Sequence, residues 1–309
     1  MRVNTLIWFV LLVLTGCGGR QMRGIDSSDT LVVKSSPVEK QATGMDMLYR
    51  LYKVYGISGD LASDPYCPPF LKGVYYDNGM LVFQVEGDTV AIRQTLEQKT
   101  GSSAFHLELT GDSLFSQKDL IVLQRKVRQR LALPENTDVN ANVVGYGIGA
   151  HHLSINLIVN TPESQQAFRK KIIDSPALQF SGGRMDEPCT KEGISGILGV
   201  HLKTTSPSFS VQSETVTFIL SNESGTNIHY GADYSLAYER EGQWYHLPIN
   251  PNVISIGYVL CPGKTEKLTA HLYPDVHPNK PGRYRYFKEI TIGDNREKIL
   301  LMAEFRLED

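Results

Sequence analysis

Net charge, cysteine and long apolar runs are all scarce in this sequence of 309 residues. Lys and Arg number 31 against 33 Asp and Glu, a formal net charge of −2. So small an imbalance gives no electrostatic case for a nucleic-acid partner. Past the first residues, no apolar stretch approaches the roughly 20 residues that a membrane-crossing helix needs. Four cysteines occur, Cys17, Cys67, Cys189 and Cys261, and no two of them are spaced as CxxC. HExxH is missing as well. His151-His152 is the one adjacent histidine pair, and neighbours on a strand point to opposite faces, so it reads as a solvated turn rather than a chelating pair. The sequence therefore calls for no metal and no cofactor.

Near-motifs fail on spacing or context. Gly263-Lys264-Thr265 ends like a phosphate-binding loop, but Gly257 is one residue too far upstream and no helix is expected to follow. Gly193-Ile194-Ser195-Gly196 has its second glycine one position early for a nucleophile elbow. Arg125, Lys126, Arg128 and Arg130 form a basic run that reads as a solvated helix face, with anionic headgroups or an acidic partner as the functional alternative. Tyr49, Tyr52, Tyr55, Tyr66, Tyr75 and Tyr76 crowd one region, where core packing competes with sugar or peptide binding. No catalytic residues emerge, and the chain is read as a non-enzyme.

What is present begins with an address. Arg2 precedes an unbroken apolar run, Leu6 to Leu14, of signal-peptide rather than membrane-spanning length. Leu14-Thr15-Gly16-Cys17 follows and resembles the lipobox of bacterial lipoproteins. That resemblance implies a signal over 1–16, removed on maturation, and a mature chain starting at a palmitate-type acylated Cys17. Two lipid signals already give stable anchoring, since each buried methylene contributes about 0.8 kcal/mol. The resemblance further implies, with Gly18 rather than aspartate after the cysteine, the outer membrane of a Gram-negative bacterium, and with no acidic cluster following Cys17 it leaves periplasmic and surface faces both open. An exported chain meets an oxidising compartment. There Cys67 and Cys189, which bracket the first domain, either form a bridge, adding about 4–5 kcal/mol by closing so long a loop, or stay as separate buried thiols beside Cys261.

Residues 17–42, rich in Ser, Gly, Asp and Lys, read as a flexible tether with a reach of about 25–30 Å. An α+β domain follows over 43–183. Met45–Tyr55 is amphipathic, and Asp77-Asn78-Gly79 supplies the turn of a hairpin over Leu71–Val85. Asp88 and Gly101 bound one helix, Ser116 with Asp119 opens another, and Thr161-Pro162 opens a third. Strands are expected at Phe105–Leu109 and Leu178–Phe180, with a second hairpin over Val143–Val159 turning at Gly147-Ile148-Gly149. The order ββαβ–α–ββαβ predicts an antiparallel sheet with helices on one face. Gly145-Tyr146-Gly147-Ile148 and Ser154–Val159, leading to the Pro162 helix, resemble pro-region units of α-lytic-type secreted proteases. Such units assist folding of an attached protease and inhibit it, although no protease follows here.

Residues 184–194 hold Gly and Pro and read as a linker. From 195 to 309, about seven short strands separated by turns predict an all-β sandwich. Leu220-Ser221-Asn222-Glu223-Ser224, Tyr230-Gly231, Gly242-Gln243-Trp244, Ile256-Gly257-Tyr258, Pro262-Gly263 and Gly282-Arg283-Tyr284-Arg285 resemble bacterial immunoglobulin-like domains of secreted proteins and lipoproteins. The resemblance implies a recognition or spacer module, with Trp244 expected in the inter-sheet core. Three functions remain: protein or peptide recognition by the first domain or the groove between domains, a structural spacer in an envelope assembly, or an enzyme with an unfamiliar site.

Overall fold

A computed structural model describes residues 37–59, 64–111, 115–252, 254–293 and 297–309. Cys17, the signal and most of the tether lie outside the described residues. Helix α1 spans Pro37–Tyr55, so its first turns come from the stretch read as tether. No helix among the described residues is long and apolar enough to cross a membrane.

The α+β class holds, and its architecture is finer than expected. Strands β1 (Leu71–Asp77), β2 (Met80–Val85) and β3 (Phe105–Leu109) form one three-stranded sheet, with α2 (Thr89–Thr100) before β3. Strands β4 (Val143–Ile148), β5 (Leu153–Val159) and β6 (Leu178–Gly183) form another, with α5 (Pro162–Lys171) before β6. The single antiparallel sheet is thus corrected to two mixed ones. In each, the hairpin is antiparallel, while the last strand lies parallel to its neighbour. The cause is the helix between them: a β–α–β crossover brings the chain back to the same end of the sheet.

Each sheet buries one face against helices. Met47, Leu51, Leu71, Phe83, Leu96 and Phe105 pack the first core. The second core is built by Leu120 and Val127 of α3 (Gln117–Leu131), Val139 of α4 (Thr137–Ala141), and Ile155, Leu157 and Phe168. Helix α3 therefore belongs to the second unit, and the repeat is α-ββαβ twice over. Local signals act as read: Asn78 and Gly79 take φ of 47° and 78° in the first hairpin turn. Asp88 accepts from Val90 and Ala91 N–H, and Ser116–Asp119 closes a capping box. The second hairpin turns later than expected, over 149–152, where Gly149 N–H donates to His152 O at 2.9 Å.

The C-terminal region is an all-β sandwich. One sheet runs β15 (Lys264–His271), β10 (Thr215–Asn222), β8 (Val200–Thr204), β7 (Gly196–Ile197). The other runs β13 (Gln243–Leu247), β12 (Ser235–Arg240), β16 (Gly282–Ile292), β11 (Ile228–Tyr230), β14 (Tyr258–Leu260). Strand β17 (Ile299–Glu308) pairs with β16 and with the short β9 (Ser208–Ser210). Val216, Phe218 and Leu220 of β10 are fully buried and face Tyr286 and Phe305, Phe218 stacking on Tyr286 at 4.1 Å. Asn222, almost fully buried, donates to Thr226 O and Leu260 O and joins the β10 turn to β14.

Trp244 is not in that core. Leu247 points inward on β13, so strand alternation turns the half-buried Trp244 outward. There the Arg285 guanidinium covers its ring at 3.8 Å, and Arg285 and Arg283 reach Glu304 at 2.8 and 2.9 Å. The stretch 184–194 is also no free linker. Tyr238 OH donates to Met185 O at 2.6 Å, and Cys189 N–H donates to Trp244 O at 2.9 Å. Ile194 then exchanges backbone bonds with Leu300 and Met302 of β17.

The same contacts explain the thiols. Cys67 is buried in the first core, whereas Cys189 lies against β13, so the two belong to different bodies. The Cys67–Cys189 bridge weighed from the sequence is absent, and Cys67, Cys189 and Cys261 are all free. Titration of the unfolded chain is expected to count these three thiols equally with and without reductant. In the native chain, exposed Cys261 should label first and buried Cys67 only on unfolding; two thiols that appear only after reduction would contradict the structure.

Candidate functional site

Two places gather side chains with chemical potential: a polar cluster between the repeats and a groove between the second repeat and the sandwich. The polar cluster grows from Gln84. On β2 its neighbours Phe83 and Val85 point into the helix-covered core, so Gln84 faces the other way, yet it is fully buried. Its Oε1 accepts the N–H of Gln117 at 2.9 Å, and Gln117 Oε1 in turn accepts the N–H of Val74 at 3.1 Å. Its amide nitrogen lies 3.0 Å from Glu108 Oε2, 3.0 Å from Ala150 O and 3.2 Å from His151 Nδ1. Gly73 opposite leaves room for this: a Cβ there would strike Gln84 Oε1 and stand 2.7 Å from Gln117 Cβ.

His151 reaches across from the second hairpin loop. Its Nε2 is 3.1 Å from Glu108 Oε1, and its ring meets Tyr75 edge-on at 5.8 Å. Tyr75 OH donates to the same Glu108 oxygen at 3.3 Å, and burial together with that carboxylate raises its pKa above the ordinary phenol value. The solvated-turn reading of His151 is therefore corrected, because a partner lies against each ring nitrogen. Two Gln84 N–H protons serve three acceptors, Glu108, Ala150 O and His151 Nδ1, while an Nε2–H tautomer of His151 donates to Glu108. Chemically this is a brace between repeats. His152 instead folds over Gly149 in the loop. Among the described residues no group of three or more His, Cys, Asp or Glu is placed to hold a metal.

The groove begins at a cavity of about 550 Å³ whose walls come from both bodies. Val159 of β5 and Met185 face Tyr238, Leu247, Tyr284 and the Val276–Pro281 segment. Tyr284 OH donates to Lys280 O at 2.7 Å and accepts Lys280 N–H at 3.2 Å, which fixes the segment to β16; burial raises the pKa of both tyrosines. Met185 and Arg240 continue into a second cleft of about 510 Å³, bounded by Arg184, Asp186 and the start of α5. That start is already capped, since Thr161 and Ser164 satisfy each other in a capping box. The two clefts share Met185 and Arg240 as walls; the first is apolar and aromatic and the second mixed in charge.

The remaining sequence candidates scatter. Arg130 donates to Ile172 O at 2.7 Å and caps α5, while Lys126 and Arg128 stay exposed. Tyr52, Tyr55 and Tyr76 pack on the first core, Tyr49 and Tyr66 are exposed, and Tyr75 faces the polar cluster, so the six make no common surface. Cys261 to Thr265 is a strand-to-strand turn with Gly263 at φ 74°. Sequence does not mark the groove, because Val159, Met185 and Tyr238 are ordinary core types that only long-range packing brings together.

Comparison with known families follows this division. Residues 196–306 match a bacterial Ig-like domain. Residues 118–183, from α3 to the end of β6, match a Pro-like C-terminal domain. No curated protein matches the sequence. Among solved structures, the archaellum periplasmic stator protein FlaG from Sulfolobus acidocaldarius is similar over 33% of this chain and 98% of its own, at 20% identity and a TM-score of 0.22. The DNA glycosylase AlkC from Pseudomonas fluorescens is similar over 35% of this chain at 17% identity and TM-score 0.21. A β-glucosidase from Listeria innocua is similar over 36% at 13% identity and TM-score 0.20. The chain spans only 29% and 16% of the last two, and nothing about its activity follows from likeness at that level.

Replacing Gln84 by Met keeps the volume and removes the amide. The Gln117 N–H then loses its buried acceptor, which is expected to cost about 1–3 kcal/mol in urea unfolding. An unchanged midpoint would show the cluster to be incidental.

Proposed function

We propose that this chain is a lipid-anchored, non-enzymatic envelope protein that recognises an extended protein or peptide segment. The groove walled by Val159, Met185, Tyr238, Tyr284 and the Val276–Pro281 segment carries the reading. It is concave and lined by tyrosine and proline, the kind of surface that takes an extended chain. The unit matching a Pro-like C-terminal domain supports it, since the type resembles protease pro-regions, which bind proteins. The address rests on Leu14-Thr15-Gly16-Cys17, with Cys17 acylated, 17–42 as the tether and the outer membrane as the destination. The reading calls for no cofactor and no nucleic acid.

One observation favours a second reading. Residues 185–194 are bonded along the sandwich through the backbone of Met185, Glu187, Cys189 and Ile194, and such a fixed connection also suits a spacer in a larger envelope assembly.

Two experiments test these statements. Radiolabelled palmitate is expected to enter the wild-type chain and not Cys17→Ser, which should appear in the soluble envelope fraction; equal labelling would remove the anchor. Peptides selected from a random library on the full chain are expected to lose at least tenfold in affinity on Val276→Asp, which puts a charge in the groove wall. Unchanged affinity would move recognition elsewhere, and a fixed complex in native mass spectrometry of solubilised envelopes would favour the spacer.

A further inference from the structure

His277 is the most confined histidine of the sandwich, only 4% exposed. It lies in the segment joining β15 to β16, which forms a wall of the groove. That segment begins at Tyr273, a non-glycine residue at φ 53°, whose carbonyl accepts the N–H of Val276 at 2.9 Å and of His277 at 3.2 Å. A left-handed tyrosine is uncommon and persists only where its surroundings hold it. The His277 Nε2 then donates to Pro248 O at 3.1 Å, and no described residue offers its buried Nδ1 a partner. This geometry selects the neutral ring with its proton on Nε2.

Pro248 connects that ring to the other domain. It sits over Gly183 at the end of β6, where an added Cβ would be 2.8 Å from the Pro248 Cβ. Residues 248–252 are therefore held between the His277 segment on one side and the β4–β5–β6 sheet on the other. Charged groups around the cavity are Glu239 and Arg240 on β12 and Lys280 on the same segment as His277, with Asp275 exposed on that segment. Glu239 is paired with Arg283 at 3.0 Å, and Arg240 lies over Tyr245 at 4.3 Å. β5 and residue 185 bring only Val159 and Met185, and Pro248 brings a carbonyl. A second proton on His277 would be a buried charge helped only by backbone carbonyls, since the cavity's carboxylate, Glu239, is already paired with Arg283.

We propose that His277 is an acid-sensitive latch on the junction between the α+β domain and the sandwich: protonation at Nδ1 drives the 273–281 segment into solvent, frees Pro248 from Gly183 and opens the groove. Burial accordingly holds the His277 pKa below its ordinary value of 6.5. The opened segment takes up a proton near pH 6.5 and the closed one does not. The closed state is fully favoured above that pH and loses ground below it, by about tenfold in the opening constant per pH unit, until the closed form itself protonates.

Hydrogen exchange on the full chain in detergent micelles, expressed as protection factors between pH 7.5 and 5, reads this directly. The hydrogen-bonded amides of Asn252, Val276, His277 and Lys280 are expected to lose protection about tenfold per unit below pH 6.5, while those of β10 stay unchanged. His277→Gln retains a donor for the Pro248 carbonyl and takes no proton, so its protection should not vary with pH. Constant protection in the wild type, or the same loss in the variant, overturns the latch. Should the variant not fold, the His277 ring proton signal of the wild type decides: a titration midpoint below 6.5 supports the latch, and one at or above 6.5 overturns it.

Discussion

The amide of Gln84 marks the constraint on which the rest of the molecule depends. A three-stranded sheet with helices on one side still has a second face, and that face must be covered or left wet. In the first sheet the second face carries Gln84, and what covers it is the next repeat. The N–H of Gln117 and the loop of Ala150 and His151 both come from beyond β3. A buried amide must find partners for its oxygen and its two N–H groups, and here they come from both repeats. The two units are thereby fixed in one arrangement, because sliding one past the other would leave a buried polar group without a partner.

The second sheet solves the same problem differently. Its helix-free face meets the sandwich through Pro248 over Gly183, with Asn156 and Ser181 bordering the contact. This contact mixes apolar packing with one hydrogen bond, from Asn252 Nδ2 to Val144 O at 3.4 Å, and the groove has a wall in the same sheet through Val159. The difference matters for function. A polar lock with fixed partners resists movement, whereas a contact made by residues 248–252, one of them held by a buried histidine, can yield to a ligand or a proton without unfolding either body. If the chain recognises a partner, the softer junction is where binding energy has something to displace.

Much of this fold was legible because its signals are local. Asn78-Gly79 asks for positive φ at two successive residues, and the caps at Asp88, Ser116 and Thr161 satisfy helix-end N–H groups within three residues. Errors arose where a distant neighbour decides. His151 reads as a loop residue until Glu108 and Gln84 are placed beside it. Trp244 reads as core because tryptophan usually is, yet strand parity sends it out under Arg285. The Cys67–Cys189 pairing rested on chain order, which says nothing about which core each thiol enters. The groove was invisible for the same reason, since its residues look like any other packed positions.

Glycine shows where sequence reading stops. Gly73 and Gly145 both lie in strands of helix-free faces, and by composition they are equivalent. At Gly73 a Cβ would collide with Gln84 and Gln117, so the missing side chain is what lets the second repeat approach. At Gly145 nothing lies within 4 Å, so the same absence leaves a bare strand. One glycine is a docking position and the other is open surface. Only the partner tells them apart, and the hydrophobic period of a strand contains no information about the partner.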